Sequence, residues 1–132
     1  MPTLEDLFAK AALRIRRYTP VEAHGATAAI LDIRSQDARE RDGVIPGACH
    51  VPRTVLEWRV ASEAWRNTEL DGRTLILVCD QGFSSVFAAS ALLELGRDAG
   101  DIEGGFEAWR AAGLPMTAAR AWNGLPGMGL PD

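Results

Sequence analysis

The stretch that decides the fold reads Thr74-Leu75-Ile76-Leu77-Val78-Cys79-Asp80-Gln81-Gly82-Phe83-Ser84-Ser85-Val86. Residues 74–78 form a largely apolar run without period-2 alternation, which is typical of a strand buried on both faces of a parallel sheet. A turn with glycine follows, and a serine at 84 or 85 is expected to cap the next helix. That helix is predicted over residues 86–95, with Gly96 as its end. Strand, loop and helix in this order predict a βα unit.

The rest of the chain continues this alternation of strands and helices. A second buried strand is predicted over residues 28–33, and shorter strands are predicted near residues 49–51 and 99–102. Threonine caps and glycine or arginine ends predict helices over residues 3–17 and 19–25, and further helices are predicted from Thr54 and over 106–113. Alternating elements of this kind predict an α/β fold with a parallel sheet.

Length and composition limit the classes of protein to consider. A chain of 132 residues builds one compact domain, and 47% apolar with 24% charged residues is ordinary for a folded soluble protein. Fourteen Lys and Arg against 18 Asp and Glu give a net charge of -4, so nucleic acid is not an expected partner. Every apolar run is shorter than the roughly 18 residues of a membrane span, and residues 1–6 lack the basic start of a secretory signal. We therefore expect a cytoplasmic protein without a membrane partner.

Cys79 is the candidate nucleophile of the chain. It directly follows the buried strand, and ligands of open α/β sheets bind at the carboxyl ends of strands. The N–H groups of the turn and of the helix start favour an anion there, which lowers the pKa of a thiol. From the cysteine alone, an inert buried residue is the competing interpretation. The residues that follow Cys79 are candidates for substrate binding: Asp80, Gln81, Gly82, Phe83, Ser84 and Ser85.

Further motifs lie before and after the loop from Cys79 to Ser85, and their order and spacing are specific. They are Leu31-Asp32-Ile33-Arg34, Gly43-Val44-Ile45-Pro46-Gly47-Ala48, Gly104-Gly105-Phe106-Glu107-Ala108-Trp109 and Gly113-Leu114-Pro115. By these motifs the chain resembles the rhodanese family of sulfurtransferases over about residues 19–116. The resemblance implies a rhodanese-like α/β fold, with a parallel sheet of about five strands and helices on both faces. We expect an N-terminal helix over residues 1–18, the rhodanese-like domain over 19–117 and a coil tail over 118–132.

The resemblance also implies a ping-pong sulfurtransferase that needs no cofactor or metal. Cys79 would attack a small sulfur-containing anion such as thiosulfate, or a persulfide donor, and become a persulfide. The sulfur would then pass to cyanide, to a thiol or to a protein acceptor.

The cysteine loop departs from the family's usual composition. Many members carry a basic residue after the cysteine and an arginine near the position of Ser84, whereas this loop has Asp80 and no base. Positive charge for a donor anion must then come from outside the loop, and Arg53 and Arg59 are the candidates, although each can equally form an ordinary surface ion pair.

Asp32 and Arg34 are expected to support the site as a hydrogen-bonded pair at the end of the second buried strand. Cys49 and His50, in a short buried strand, are expected to be structural, although Cys49 could also act as a resolving thiol.

Two other functions use a similar cysteine. Phosphatases and arsenate reductases need an arginine six positions after the cysteine, and Ser85 stands there. A sulfur carrier or binding module that is loaded and unloaded only by protein partners is the second alternative, and Asp80 favours it because a carboxylate opposes the approach of small anions.

Overall fold

A computed structural model describes residues 1–120 of the chain and contains a parallel sheet of five strands in this part. The strands are β1 (Arg16–Tyr18), β2 (Ala29–Asp32), β3 (Cys49–His50), β4 (Leu75–Val78) and β5 (Ala99–Ile102). Their order across the sheet is β1-β5-β4-β2-β3, and all neighbours run parallel. The predicted fold class is thus confirmed.

Helices lie between consecutive strands, as parallel pairing requires, and also before the first strand and after the last. They are α1 (Leu4–Arg14), α2 (Pro20–Gly25), α3 (Gln36–Asp42), α4 (Leu56–Ala61), α5 (Ser84–Glu94) and α6 (Gly105–Ala111), with short 3-10 turns at Arg53–Val55 and Thr68–Leu70. Both α1 and α2 begin with a reciprocal capping box, at Thr3 and Thr19, which is the predicted signal. Helix α3, which begins after a serine cap at Ser35, was not predicted from the sequence.

The core consists of two apolar layers, one on each face of the sheet. Strand β4 is completely buried and contributes to both, because its side chains alternate: Leu75 and Leu77 pack into one layer, and Ile76 and Val78 into the other. Each such side chain stabilises the fold by about 1.5–3 kcal/mol through burial. The first layer also holds residues of α1, α4 and α5, and the second holds residues of α2 and α6. Helices on both faces therefore fix β4 and the loop that follows it.

Strand β1 corrects the prediction of a helix through Arg17. The helix ends at Arg14, and residues 16–18 pair with β5 in the register Arg16 to Gly100 and Arg17 to Asp101. By pairing with the open edge of β5, residues 16–18 satisfy their backbone N–H and C=O groups. The helical spacing of apolar residues, on which the prediction depended, contains no information about this pairing. The segment predicted as a separate helix thus contributes a strand to the sheet.

The start of α5 also differs from the prediction. The helix begins at Ser84 itself, Phe83 occupies the cap position, and no side chain caps the helix. The predicted serine cap is wrong because the Ser85 hydroxyl is turned inward, toward Cys79 and Asp101.

A coil was predicted over residues 118–132, and the part of it from residue 121 onward lies outside the described residues. No helix within residues 1–120 has the length and apolar character needed to cross a membrane.

Candidate active site

Cys79 lies immediately after β4, at the carboxyl edge of the sheet, and its side chain is buried. Its Sγ accepts a hydrogen bond from the backbone N–H of Gly82 at 3.1 Å and lies 3.2 Å from the Ser85 Oγ. We call residues 79–85 the cysteine loop. Gly82 turns this loop back on itself with a φ of +85°, and a Cβ at this position would lie 2.7 Å from the backbone nitrogen of Gly104. Glycine is therefore required where the loop directs an N–H at the sulfur.

The hydrogen bonds around the sulfur favour the thiolate. Burial raises the pKa of the Cys79 thiol, but hydrogen bonds from the Ser85 side chain and backbone, the Ser84 side chain and the Gly82 backbone outweigh it. The pKa of Cys79 consequently lies below its ordinary value. A thiolate is the nucleophilic form of cysteine, so the lowered pKa is what a nucleophilic role of Cys79 requires, and that role stays a prediction.

Helix α6 holds the cysteine loop through backbone hydrogen bonds. The backbone N–H of Phe106 donates to the Cys79 carbonyl at 2.8 Å, and that of Glu107 donates to the Asp80 carbonyl at 3.1 Å. This approach is close enough that a Cβ on Gly105 would lie 2.6 Å from the Cys79 carbonyl oxygen. The Gly104-Gly105 pair is therefore needed for contact between α6 and the loop.

An open cleft of about 380 Å³ leads to Cys79, and we call it the Cys79 cleft. The predicted site residues that line it are Arg34, Cys79, Asp80, Gln81, Phe83 and Ser84, together with Ile33 and Ser35. Phe83 is 63% exposed and forms an edge-on contact with Phe8 of α1. The cleft thus combines one guanidinium, one carboxylate and an exposed aromatic ring around the sulfur.

Asp32 and Arg34 form a buried bidentate ion pair beside this cleft. Arg34 donates from Nε and Nη2 to the two Asp32 carboxylate oxygens at 3.0 and 2.8 Å, and Nη2 also reaches the Gly43 carbonyl at 2.8 Å. Its guanidinium stacks on the Phe106 ring at 3.9 Å. Within residues 1–120 the buried Nη1 has no hydrogen-bond partner. The pair connects the end of β2 to the connection after α3; its effect on chemistry stays a prediction.

The arginines predicted to attract a donor anion lie elsewhere. Arg53 forms an ion pair with Glu57 at 2.8 Å and is not among the residues that line the Cys79 cleft. Arg59 lies on a separate apolar surface with Trp58 and Trp65. A role for either arginine in donor binding stays a prediction.

A cation does reach the cysteine loop, but from β1. Arg17 donates from Nη2 to the Gly82 carbonyl at 2.9 Å, and its Nε and Nη2 bind the two carboxylate oxygens of Asp101 at 3.0 and 3.2 Å. Asp101 is fully buried on β5 and lies 2.7 Å from the Ser85 Oγ. Burial lowers the pKa of Arg17, but the hydrogen bonds and charge of Asp101 raise it overall, so the guanidinium stays charged.

Of these residues, Ser85 was predicted from the sequence, whereas Arg17 and Asp101 were not. An aspartate inside the buried strand Ala99–Ile102 was the available signal, since a buried carboxylate needs a partner. Nothing in the sequence pattern marked Arg17, because it was assigned to a helix.

Fold and site together define an α/β protein with a buried cysteine at a strand end, and hydrogen bonds from the loop that follows lower the pKa of its thiol. The profile of the rhodanese-like domain family matches residues 19–112. This chain therefore belongs to the rhodanese-like domain family, as its motifs predicted.

Relatives and solved structures resemble this chain in sequence or in fold. Thiosulfate sulfurtransferase GlpE of Pseudomonas putida is 40% identical over 92 residues, which cover 69% of this chain and 77% of that protein. A Rhodopseudomonas palustris protein of unknown function, described as a possible tyrosine phosphatase, superposes with a TM-score of 0.80 at 30% identity, over 89% of this chain and 99% of that one. The rhodanese-like domain protein of Staphylococcus aureus superposes with a TM-score of 0.62 at 25% identity, over 79% and 100%.

Proposed function

We propose that this protein is a sulfurtransferase in which Cys79 carries the sulfur. The observation on which this rests is that Cys79 lines an open cleft and that its Sγ is within hydrogen-bond distance of the Gly82 N–H and the Ser85 hydroxyl. These groups stabilise a thiolate, and the cleft gives a small donor access to it. The relatives named thiosulfate sulfurtransferase support the same chemistry.

The reaction proceeds in two displacements. The Cys79 thiolate attacks the outer sulfur of thiosulfate, the sulfur–sulfur bond of the donor breaks, and sulfite leaves with the bonding electron pair. A nucleophile such as cyanide or a thiolate then attacks the terminal sulfur of the persulfide, and the Cys79 thiolate leaves. The Gly82 N–H, which the fold holds 3.1 Å from Sγ, and the Ser85 hydroxyl stabilise the negative charge on sulfur in both states, as in an oxyanion hole.

Intact mass spectrometry tests this proposal directly. After incubation with thiosulfate, the protein should gain one sulfur atom, and a reducing thiol should remove it. The Cys79→Ser variant should gain none, whereas the matched Cys49→Ser variant should gain sulfur as the wild type does. Absence of the gain with thiosulfate and also with a small-molecule persulfide would refute the proposal.

A partner-dependent sulfur carrier is the second candidate, and the position of Asp80 favours it. This carboxylate is exposed and lines the Cys79 cleft, where it opposes the approach of a dianion. A carrier would become a persulfide but would transfer sulfur to cyanide no faster than a free thiol persulfide does. Multiple turnover with cyanide in a steady-state assay therefore separates the enzyme from the carrier.

An assay for hydrolysis of phosphate esters is a necessary control, because the Rhodopseudomonas palustris protein is described as a possible tyrosine phosphatase. In this chain the position that would hold the phosphate-binding arginine is Ser85, whose hydroxyl faces Cys79 and Asp101. A phosphate would therefore lack the bidentate guanidinium contact from the loop. We expect no turnover of p-nitrophenyl phosphate above that of Cys79→Ser.

A further inference from the structure

Arg17, Asp101 and Ser85 form a continuous chain of hydrogen bonds that ends at the Cys79 sulfur. The links are Arg17 to Asp101 at 3.0 and 3.2 Å, Ser85 to Asp101 at 2.7 Å and Cys79 to Ser85 at 3.2 Å. Asp101 and Ser85 are fully buried, so water does not weaken these interactions. Three secondary-structure elements, β1, β5 and α5, meet in this chain.

The Ser85 hydroxyl has one proton and two acceptors that compete for it. When Cys79 is a thiol, its S–H donates to the Ser85 Oγ, and the Ser85 O–H donates to the Asp101 carboxylate. When Cys79 is a thiolate or a persulfide anion, the sulfur needs that O–H, and the hydroxyl must turn away from Asp101. The affinity of the carboxylate for the serine proton therefore influences the stability of the charged sulfur.

Arg17 reduces that affinity. Its Nε and Nη2 donate to both oxygens of Asp101, so the carboxylate keeps hydrogen bonds after the serine hydroxyl turns. Its positive charge also offsets the negative charge of Asp101 near the sulfur. A third contact, from Nη2 to the Gly82 carbonyl, holds the same peptide segment whose N–H points at Sγ.

We propose that Arg17 is a positioning residue for sulfur transfer: acting through Asp101 and Ser85, it lets the serine hydroxyl stabilise the Cys79 thiolate and persulfide. Arg17 thus supplies, from β1, the positive charge that the cysteine loop lacks. The link to catalysis rests on the proposed function, but the effect on the thiol does not.

Other charged groups lie around the cysteine loop and stay constant in the test. They are Asp80 in the loop, Arg34 at the end of β2, Glu103 after β5, Glu107 on α6 and Arg41 on α3.

The test measures the pH midpoint for alkylation of Cys79 by iodoacetamide, followed by peptide mass spectrometry so that Cys49 does not interfere. Arg17→Met is expected to raise the midpoint by about one pH unit or more, because Asp101 then keeps the serine proton and its charge is no longer balanced. Asp101→Asn is expected to lower the midpoint. Arg16→Met is the matched control: Arg16 is exposed on the same strand and stacks on Tyr18 at 4.2 Å, so its loss should leave the midpoint unchanged.

The double variant distinguishes action through Asp101 from a direct effect of Arg17. Adding Arg17→Met to Asp101→Asn should shift the midpoint much less than Arg17→Met shifts it in the wild type. An equal shift in both backgrounds, or no shift from Arg17→Met in the folded protein, overturns the proposal. If Arg17→Met does not fold, Arg17→Lys, which keeps the charge but not the bidentate contact, should raise the midpoint by a smaller amount. An unchanged midpoint in both Arg17→Lys and Asp101→Asn would equally overturn the proposal.

Alkylation needs no sulfur donor, so this test is independent of the proposed function. The predicted shifts without any sulfur transfer would refute the sulfurtransferase proposal alone. Normal transfer with unchanged midpoints would refute the role of Arg17 alone.

Discussion

At the scale of single residues, the two cysteines differ in what surrounds each sulfur. Cys79 receives hydrogen bonds that lower the pKa of its thiol, whereas Cys49 is buried in the first core layer on β3. We expect Cys79→Ser to abolish sulfur transfer to cyanide and Cys49→Ser to keep most of it. Steady-state rates of both variants, with circular dichroism as the folding check, measure the difference. A folded but inactive Cys49 variant would instead indicate a resolving thiol.

Asp80 gives a second prediction at this scale. Its carboxylate opposes both a thiolate at Cys79 and the approach of thiosulfate, since like charges in a cleft of reduced dielectric repel. Replacing it with arginine, Asp80→Arg, should lower KM for thiosulfate several-fold and shift the alkylation midpoint of Cys79 to lower pH. Glu69→Arg, an exposed change of equal charge in the turn before β4, is the control. If both variants behave alike, the carboxylate of Asp80 has no specific effect on the site.

At the scale of elements, the contact of α6 with the cysteine loop depends on a glycine. Gly105→Ala would place a Cβ 2.6 Å from the Cys79 carbonyl oxygen, at a backbone φ of +64°. The left-handed backbone alone costs about 1–2 kcal/mol, and the displaced loop adds to that and lowers activity. Gly113→Ala is the matched control, because its φ is +71° and nothing lies near its Cβ. Chemical denaturation and transfer rates should show a loss of activity per folded molecule only for Gly105→Ala.

The elements that sequence reasoning predicted are those defined by local pattern. Strand β4 and the cysteine loop follow from one apolar run and one glycine turn, and both lie where they were predicted. Strand β1 was not predictable in this way, because three residues become a strand only when β5 is beside them. The link from Arg17 to Asp101 joins residues 84 positions apart and depends on that same pairing. The ion pair of Arg17 and Asp101 could not be predicted because strand β1 was not predicted.

At the scale of the whole molecule, residues 1–18 contribute to both core layers and to the sheet. Ile15 and Tyr18 are buried in the two core layers, β1 covers the edge of β5, and Arg17 pairs with the buried Asp101. We propose that residues 1–117 form one unit, with Thr117 pairing with Val44 at its end.

Truncation from each end tests the extent of this unit. Deletion of residues 1–18 should lower the melting temperature by about 10 °C or more, because it removes several kcal/mol of apolar burial and the Arg17 cation that pairs with the buried Asp101. A chain that ends at Asn123 should keep the melting temperature and the transfer rate of the full chain, since the composition of residues 124–132 predicts no element of the sheet. Differential scanning fluorimetry and the cyanide assay on both proteins give the comparison. A folded chain ending at Asn123 with a reduced rate would show that the last residues act on the Cys79 cleft, and the functional unit would then extend beyond residue 117.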